Sequence, residues 1–400
     1  MRPLQGVKII DFTQAHAGSL ATMILADFGA EVVKIERKGV GDLARYWEPT
    51  KDGSSAYFSY LNRGKESISI DVSQEKGRNI VLELVKTADV VCENFKYGSM
   101  ERLGLGYDVM QKVNPALIYA SLNGFGQTGP DRHRIGLDLQ MQALSGIMDR
   151  TGLPDGPPTK IGAAIGDQVS GIYLAMAINL ALIHRKRTGR GQYIDISILD
   201  TLVSFLEAAP VTLCLTGDVP ARSGNMYPAI APYDTFPTKD GYVSIGISTN
   251  DQWRRFCQAL GMKDLLSNPK YASNEKRGMY YASELKGILT ERISQYSKFD
   301  IERILRSEKL ACGAVYTVSE AMETAHIQQR GMVIELSDPA LGRVKMPGIS
   351  IKLEGTPGYV SHGAPVLGQN TQGYLAQLGL TAEEISALQE EHVIETARMG

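Results

Sequence analysis

The chain has 400 residues, of which 43% are hydrophobic and 22% are charged. This composition is typical of a folded globular protein and excludes a disordered chain or a coiled coil. Lys and Arg number 42 against 44 Asp and Glu, for a formal net charge of -2, so no overall charge attracts nucleic acid or an anionic membrane. At this length we expect two lobes, since a domain typically has about 150 residues.

No targeting or anchoring segment is expected. The longest apolar stretch, residues 169–183, is interrupted by polar residues and is shorter than the roughly 20 residues that a membrane span requires, so it predicts a buried helix. The first residues enter a strand pattern directly, without the apolar core of a signal peptide. The four cysteines (Cys92, Cys214, Cys257 and Cys312) form no CxxC pair, which argues against a disulfide framework or a zinc site. We therefore expect a soluble cytoplasmic protein.

The first half of the chain alternates predicted strands with predicted helices. The β-branched run at 7–12 predicts a strand, the apolar pattern at 20–28 a helix, and the run at 32–36 a second, buried strand. The alternation continues with strands at 67–72, 90–95, 116–122 and 193–198, and with helices at 77–87, near Met100, at 139–149 and from the apolar stretch to Gly189. Such alternation predicts a parallel α/β sheet covered on both faces.

A second lobe is predicted from about residue 220. There the chain becomes rich in turn residues and then gives a strand, a helix around Trp253 and further charged helices. The segment 332–353 returns to a strand-like pattern. We therefore predict that residues 1–219 form the first part of a large domain, that 220–330 form a small domain, and that 331–400 return to the large one.

The first strand-turn-helix unit matches a dinucleotide-binding site only in part. Glu36 ends the second strand, where such sites keep an acidic residue for the ribose. The first turn, however, holds one glycine, Gly18, and lacks the repeated glycines that let a backbone approach a pyrophosphate. A GxGxxG match begins at Gly124, but Pro130 follows it and no helix opens there. We interpret this segment as a flexible loop at the C-terminal edge of the sheet, where ligands bind in open α/β folds.

Three basic side chains lie near the same edge. Arg37 and Lys38 follow the second strand, and they either bind phosphate or form a solvated basic turn. His16 lies in the first turn, where free backbone N–H groups point at any bound anion. The six histidines show no metal-ligand spacing, so no metal site is predicted.

Asp167 ends the loop PPTKIGAAIGD and immediately precedes the apolar helix. As an N-cap it would accept hydrogen bonds from free backbone N–H groups and contribute about 0.5–2 kcal/mol. The same position suits a nucleophile, because a helix N-terminus stabilises the carboxylate anion. The two roles are compatible, and the residues alone leave both open.

Taken together, these segments resemble the class III coenzyme A transferases, the family of the formyl-CoA:oxalate and carnitine CoA-transferases. The resemblance implies a Rossmann-like large domain with a parallel sheet, a smaller inserted α+β domain, and a homodimer of two interlocked subunits. It covers nearly the whole chain and rests on six ordered segments: LQGVKIIDFTQAHAG; ADFGAEVVKIER; the pair VVCENF and MERLG; NPALIYASLNGFGQTGP; GPPTKIGAAIGDQVSGIYLAMAINLALIHRKRTGRGQYIDISILD; and APVLGQNTQGYLAQLGL.

The resemblance also implies a reaction. The family's nucleophile falls on Asp167, which would attack the thioester of an acyl-CoA to give an anhydride, accept CoA as an aspartyl thioester, and pass it to a carboxylic acid. Acyl-CoA and the acid are substrates, and no metal, permanently bound cofactor, nucleic acid or membrane is implied. The implied coenzyme contacts are Ala15, His16, Ala17, Arg37, Asn94, Phe95, Arg102 and, in the glycine loop, Arg134.

Two alternatives remain. An α-methylacyl-CoA racemase of the same fold needs a histidine before the aspartate of the GxD segment to move a proton, and this chain has Leu137 before Asp138. A non-catalytic CoA-binding or nicotinamide-binding protein would be favoured by loss of the nucleophile, and Asp167 is present. The formyl-CoA enzymes have a glutamine at the position of His16, so the role of this residue stays open. Oxalate is not favoured, because no run of glycines lies between residues 222 and 242.

Overall fold

A computed structural model describes residues 2–219, 221–227 and 229–397. The chain divides into two compact units. The larger unit contains the residues up to Ile147, Lys160–Ala208 and those from His326 onward, and the smaller contains Met148–Thr159 and Ala209–Ala325. The small-domain boundary expected at residue 220 lies outside the described residues, and the division into 1–219, 220–330 and 331–400 stays a prediction.

The strands and helices are numbered in chain order. The strands are β1 (Lys8–Asp11), β2 (Glu31–Glu36), β3 (Thr50–Lys51), β4 (Ser54–Ser55), β5 (Glu66–Ile70), β6 (Val90–Glu93), β7 (Ile118–Asn123), β8 (Tyr193–Ser197), β9 (Tyr233–Thr238), β10 (Gly241–Gly246), β11 (Ala311–Ala314), β12 (Val333–Asp338), β13 (Gly342–Pro347) and β14 (Ile394–Glu395). The α-helices are α1 (Ala17–Asp27), α2 (Ala56–Asn62), α3 (Glu75–Val85), α4 (Ser99–Arg102), α5 (Tyr107–Val113), α6 (Asp138–Leu144), α7 (Ile147–Arg150), α8 (Ile165–Thr188), α9 (Ile198–Ser204), α10 (Ala209–Thr216), α11 (Asn250–Ala259), α12 (Lys263–Ser267), α13 (Asn274–Tyr280), α14 (Lys286–Ile293), α15 (Lys298–Ser307), α16 (Val318–Glu323), α17 (Ala325–Gln329), α18 (Thr371–Gln377) and α19 (Ala382–Glu390).

A seven-stranded sheet forms the centre of the larger unit, in the order β14-β5-β2-β1-β6-β7-β8. The strands from β5 to β8 pair in parallel, and β14 pairs antiparallel with β5 at the edge. Successive apolar residues of one strand enter different cores: Ile9 packs with α1 and α8, and Ile10 with α3 and α19. The prediction of an α/β fold with a mostly parallel sheet is therefore confirmed, and it follows from side chains that alternate between two buried faces.

The smaller unit has its own core. Its strands β9, β10 and β11 form an antiparallel sheet. The sheet residues Phe236 and Val243 are fully buried and share a core with Trp253, Phe256 and Leu289 of the surrounding helices. The helix predicted around Trp253 is α11, which begins with a Thr249 side chain that accepts the N–H of Gln252.

Helix α8 carries the apolar stretch that was predicted to be a buried helix. One face packs on α1, where Gly171 lies so close that a Cβ would meet the Ala17 carbonyl oxygen at 2.6 Å. On the opposite face, more than half of the surface area of each of four apolar residues is exposed: Ile172, Met176, Leu180 and Ile183. The helix is long and apolar enough to span a membrane by length and composition. Burial is thus confirmed for one face of α8, and the other face presents an apolar stripe.

Candidate active site

The first turn, between β1 and α1, is held by side chains from two other segments. The backbone N–H of Gln14 donates to Asn94 Oδ1 at 2.7 Å, and Asn94 Nδ2 donates to the Gln14 carbonyl at 2.8 Å. The Ala15 N–H donates to Asp42 Oδ1 at 2.9 Å, and Ala15 adopts a left-handed φ of 59°. The Asn94 side chain, predicted to contact the coenzyme, therefore positions the turn as well.

A cavity of about 690 Å³ opens beside this turn, a size typical of small-ligand sites. Its walls come from the first turn, the residues after β6, the loop after β7, and the start of α8. Leu137, which stands where a racemase would need a histidine, also lines it. The structure brings together seven of the predicted site residues in this lining: Ala15, His16, Ala17, Asn94, Phe95, Arg134 and Asp167.

Asp167 lines the cavity from the first turn of α8. The prediction that it is the N-cap is wrong, because the helix begins at Ile165 with Ala164 as its N-cap residue. Burial, together with the charge of Asp138, raises the pKa of the Asp167 carboxyl group to about 7. The low pKa expected for a carboxyl group at a helix N-terminus is therefore not found, although a pKa of about 7 still leaves part of the group ionised at neutral pH. The loss of hydration at Asp167 and the repulsion by a second carboxylate raise the pKa by more than the helix dipole lowers it.

Asp138 also lines the cavity and is not among the site residues predicted from the sequence. Its Oδ1 accepts the backbone N–H groups of Gly166 at 2.8 Å and of Asp167 at 3.4 Å, and its Oδ2 accepts Gln142 Nε2 at 2.7 Å. It therefore caps α8 from a neighbouring helix. Gly166 permits this approach, since a Cβ there would lie 2.9 Å from Asp138 Oδ1. In the sequence, Asp138 is the aspartate of the GxD segment that follows the glycine loop.

His16 belongs to a cluster of aromatic rings at the cavity. Its Nδ1 is hydrogen-bonded to the Tyr57 hydroxyl, and Tyr57 packs edge-on against Trp47 with ring centroids 5.3 Å apart. Burial lowers the pKa of His16 to about 4, so its ring is neutral near pH 7. Burial and then the charge of Asp167 raise the pKa of Tyr57 to about 12. Within the described residues, His16 Nε2 is buried without a hydrogen-bond partner.

A second cavity, of about 670 Å³, lies at the ends of β2 and β5 and shares Gln14 and Phe95 with the first. Arg37 and Lys38 line it together with the 71–74 turn. Arg102 is absent from the described lining of both cavities. It lies at the end of α4, where its guanidinium donates to Ser99 Oγ at 2.9 Å. The structure thus brings Arg37 next to the other predicted contacts. Arg102 itself lines neither cavity, and the adjacent Leu103 lines the second one.

Arg134 lies in the loop after β7, which opens no helix until α6, as predicted. Its guanidinium forms an ion pair with Asp131 at 2.8 Å and stacks over the Phe125 ring at 4.8 Å. Both partners orient the side chain in the wall of the first cavity. Throughout residues 2–219, 221–227 and 229–397, no group of three or more His, Cys, Asp or Glu side chains is arranged to hold a metal ion.

Known proteins resemble the chain over nearly its whole length. Residues 4–371 match the family described as CoA-transferase family III. The chain is 36% identical over 396 residues to a succinyl-CoA–D-citramalate CoA-transferase of Chloroflexus aurantiacus, with 98% of each chain covered. It is 39% identical over 354 residues to an acetyl-CoA:oxalate CoA-transferase of Acetobacter aceti, with 88% of this chain and 90% of the relative covered.

A solved structure agrees with these matches. The crystal structure of a CAIB/BAIF family protein from Brucella suis aligns with a TM-score of 0.87 at 36% identity, covering 94% of this chain and 99% of that one. The prediction of an acyl-CoA:carboxylate CoA-transferase is confirmed by the named relatives and by the match to the family. The chain therefore belongs to CoA-transferase family III.

Proposed function

We propose that the protein moves CoA from an acyl-CoA to a carboxylic acid through covalent intermediates on Asp167. The carboxylate attacks the thioester carbonyl, which forms a mixed anhydride and releases the CoA thiolate. The thiolate then attacks the aspartyl carbonyl, so the donor acid leaves and CoA remains on Asp167 as a thioester. The acceptor carboxylate reverses the two steps and departs as the new acyl-CoA. The observation that carries the proposal is the place of Asp167 in the cavity wall next to the first turn.

The environment of Asp167 suits this role. Its pKa of about 7, raised by burial and by Asp138, leaves a substantial anionic fraction at neutral pH and makes the carboxylate a stronger base than an exposed one. The anion is repelled by the carboxylate of Asp138, whereas the anhydride and the thioester carry no charge. Acylation of Asp167 therefore removes the repulsion, which favours the first step.

We assign the stabilisation of the reacting carbonyl to the first turn. The raised pKa of Tyr57 keeps its hydroxyl protonated, so it can donate to His16 Nδ1 and place the ring proton on Nε2. His16 Nε2 then becomes the donor to the oxyanion, with the backbone N–H groups at the start of α1 as its partners. The N–H groups at the start of α8 are not assigned this role, because Asp138 accepts those of Gly166 and Asp167.

The coenzyme would extend from the first cavity into the second. Arg37 and Lys38 supply positive charge for its phosphates, and a guanidinium group is well suited to phosphate oxygens. Gln14 and Phe95 line both cavities and so mark the path between them. Arg102 stays a proposed contact on the basis of the family resemblance.

We propose that the acids transferred are dicarboxylic, as the names of the two relatives describe for D-citramalate and oxalate. The first cavity contains Lys160 in its lining, and the Lys160 ammonium donates to the carbonyls of Ile161 and Gly162 at 3.2 Å each. Arg134 is already paired with Asp131. Lys96 and Arg132 also line this cavity. We assign Lys160 to the second carboxylate of the substrate, because it lies in the segment that leads directly into the helix carrying Asp167.

We further propose that the protein works as a cytoplasmic homodimer with interlocked subunits. The support is the stripe of exposed apolar residues on α8, which are spaced at helical intervals (Ile172, Met176, Leu180 and Ile183). A contiguous exposed apolar face of this kind is typical of an interface between proteins.

A transfer assay tests the proposed function. Acetyl-CoA and succinyl-CoA are each incubated with dicarboxylic acids of increasing length and with matched monocarboxylic acids, and the products are read by mass. We expect a new acyl-CoA without ATP, formed faster with dicarboxylic acids, and no product with Asp167→Ala. Wild-type rates in Asp167→Ala would refute the covalent role of Asp167.

A further inference from the structure

A buried ion pair contacts the first turn of the active site. Lys34 on β2 and Asp42 approach to 2.9 Å between Nζ and Oδ2, and neither side chain is exposed. Lys34 Nζ also donates to the carbonyl oxygen of Thr13 at 2.6 Å. Burial opposes the charge of Lys34, but Asp42, Asp11 and Glu36 together raise its pKa above the ordinary value. A charged pair is therefore kept next to the turn.

Asp42 contacts the turn at its most constrained residue. The φ of 59° at Ala15 lies in the left-handed region, which residues with a Cβ atom rarely adopt. The N–H of Ala15 donates to Asp42 Oδ1 at 2.9 Å in this conformation. Ala15 and His16 both line the first cavity. The conformation of Ala15 thus decides where the next residue, His16, enters the cavity wall.

The same carboxylate fixes a second part of that wall. Asp42 Oδ1 also accepts the N–H of Ala44 at 2.9 Å and caps the 3₁₀ helix Leu43–Tyr46. Trp47 follows this helix directly, lines the first cavity and packs against Tyr57. One oxygen atom therefore joins the turn that carries Ala15 to the segment that carries Trp47.

We propose that Asp42 is a positioning residue of the transfer reaction, which holds Ala15 in the left-handed conformation and sets the place of the first turn against CoA. The inference rests on the proposed function where it concerns turnover. The part of the inference that concerns CoA binding is independent of the proposed covalent mechanism, because binding CoA requires no nucleophile.

Asp42→Asn keeps an oxygen acceptor for the Ala15 N–H and loses only the charge that pairs with Lys34, so it should retain most of the CoA binding. The Asp42→Ala variant tests the proposal, because it removes Oδ1, the acceptor of the Ala15 and Ala44 N–H groups. We expect weaker binding of CoA in isothermal titration and a kcat/KM for succinyl-CoA that is lower by about 10- to 100-fold, the usual cost of a misplaced contact. The matched control is Asp27→Ala. Asp27 forms a buried ion pair with Arg63 at 2.7 Å at the far end of α1, and this control should bind CoA as the wild type does.

Ala15→Gly separates positioning from a general loss of stability. Glycine adopts positive φ without a Cβ penalty, so D42A should cost less in the A15G background than in the wild type. Equal losses in both backgrounds, or wild-type CoA binding by D42A, would overturn the proposal. Transfer by Asp167→Ala would instead refute the nucleophile and leave the binding result standing.

Discussion

Replacement of Asp167 by asparagine should abolish transfer and also stabilise the fold at alkaline pH. The carboxyl group has a pKa of about 7 in the folded protein against an ordinary value of 3.8. The folded state therefore binds more protons than the unfolded state between these two values, and the carboxyl group lowers stability as pH rises through this window. Three pKa units correspond to about 4 kcal/mol, so we expect Asp167→Asn to be more stable than the wild type by about 2–4 kcal/mol above pH 8.

Urea unfolding of both proteins from pH 4 to pH 9 measures this effect. The difference in unfolding free energy should be near zero at pH 4, grow up to about pH 7 and then stay level. Asp338→Asn is the control, because Asp338 is buried and accepts the N–H groups of Ala340, Leu341 and Ala364. Its substitution should show no gain in stability in this window. A difference between wild type and Asp167→Asn that is independent of pH would refute the reasoning.

Three further predictions concern the ligand and the reaction. Neutral substitution of Arg37 or Arg102 should raise KM for acyl-CoA more than it lowers kcat. The binding free energy lost should be about 1.5–3 kcal/mol for each charge-assisted contact, and an unchanged affinity would show that the substituted residue is not part of the site. Tyr57→Phe leaves the His16 ring without its hydrogen bond and should lower kcat by about 2- to 10-fold; an unchanged kcat would contradict the assigned donor. Because Leu137 cannot move a proton, a 2-methylacyl-CoA in deuterated water should gain no deuterium at C2, and rapid uptake would favour racemization.

Most of the large-unit fold could be predicted because its sheet is buried on both faces. Residues such as Ile9 and Ile10 produce continuous apolar runs, which are easy to recognise. The helix predicted at 139–149 is instead two helices, α6 and α7, because Gly146 adopts a φ of 88° between them. The strand β14 was missed, since two residues at the edge of a sheet carry no periodic pattern.

The site was predictable where its residues follow strands of one parallel sheet. The C-terminal ends of β1, β6 and β7 meet at one edge, and this brings His16, Asn94 and Arg134 together. Asp138 and Tyr57 could not be assigned in this way. Their roles depend on contacts with Asp167 and His16 that only tertiary packing creates. The GxD segment marks the position of Asp138 in the sequence, but nothing in it indicates the contact with α8.

The central claim is the covalent bond to Asp167, and chemical trapping tests it most directly. The enzyme is incubated with an acyl-CoA in the absence of an acceptor and treated with hydroxylamine, which converts an aspartyl anhydride or thioester to a hydroxamate. Peptide mass analysis should find the hydroxamate on Asp167 in an acyl-CoA-dependent manner, and Asp167→Asn should lack it. An unmodified Asp167 in an enzyme that still transfers CoA would contradict the account.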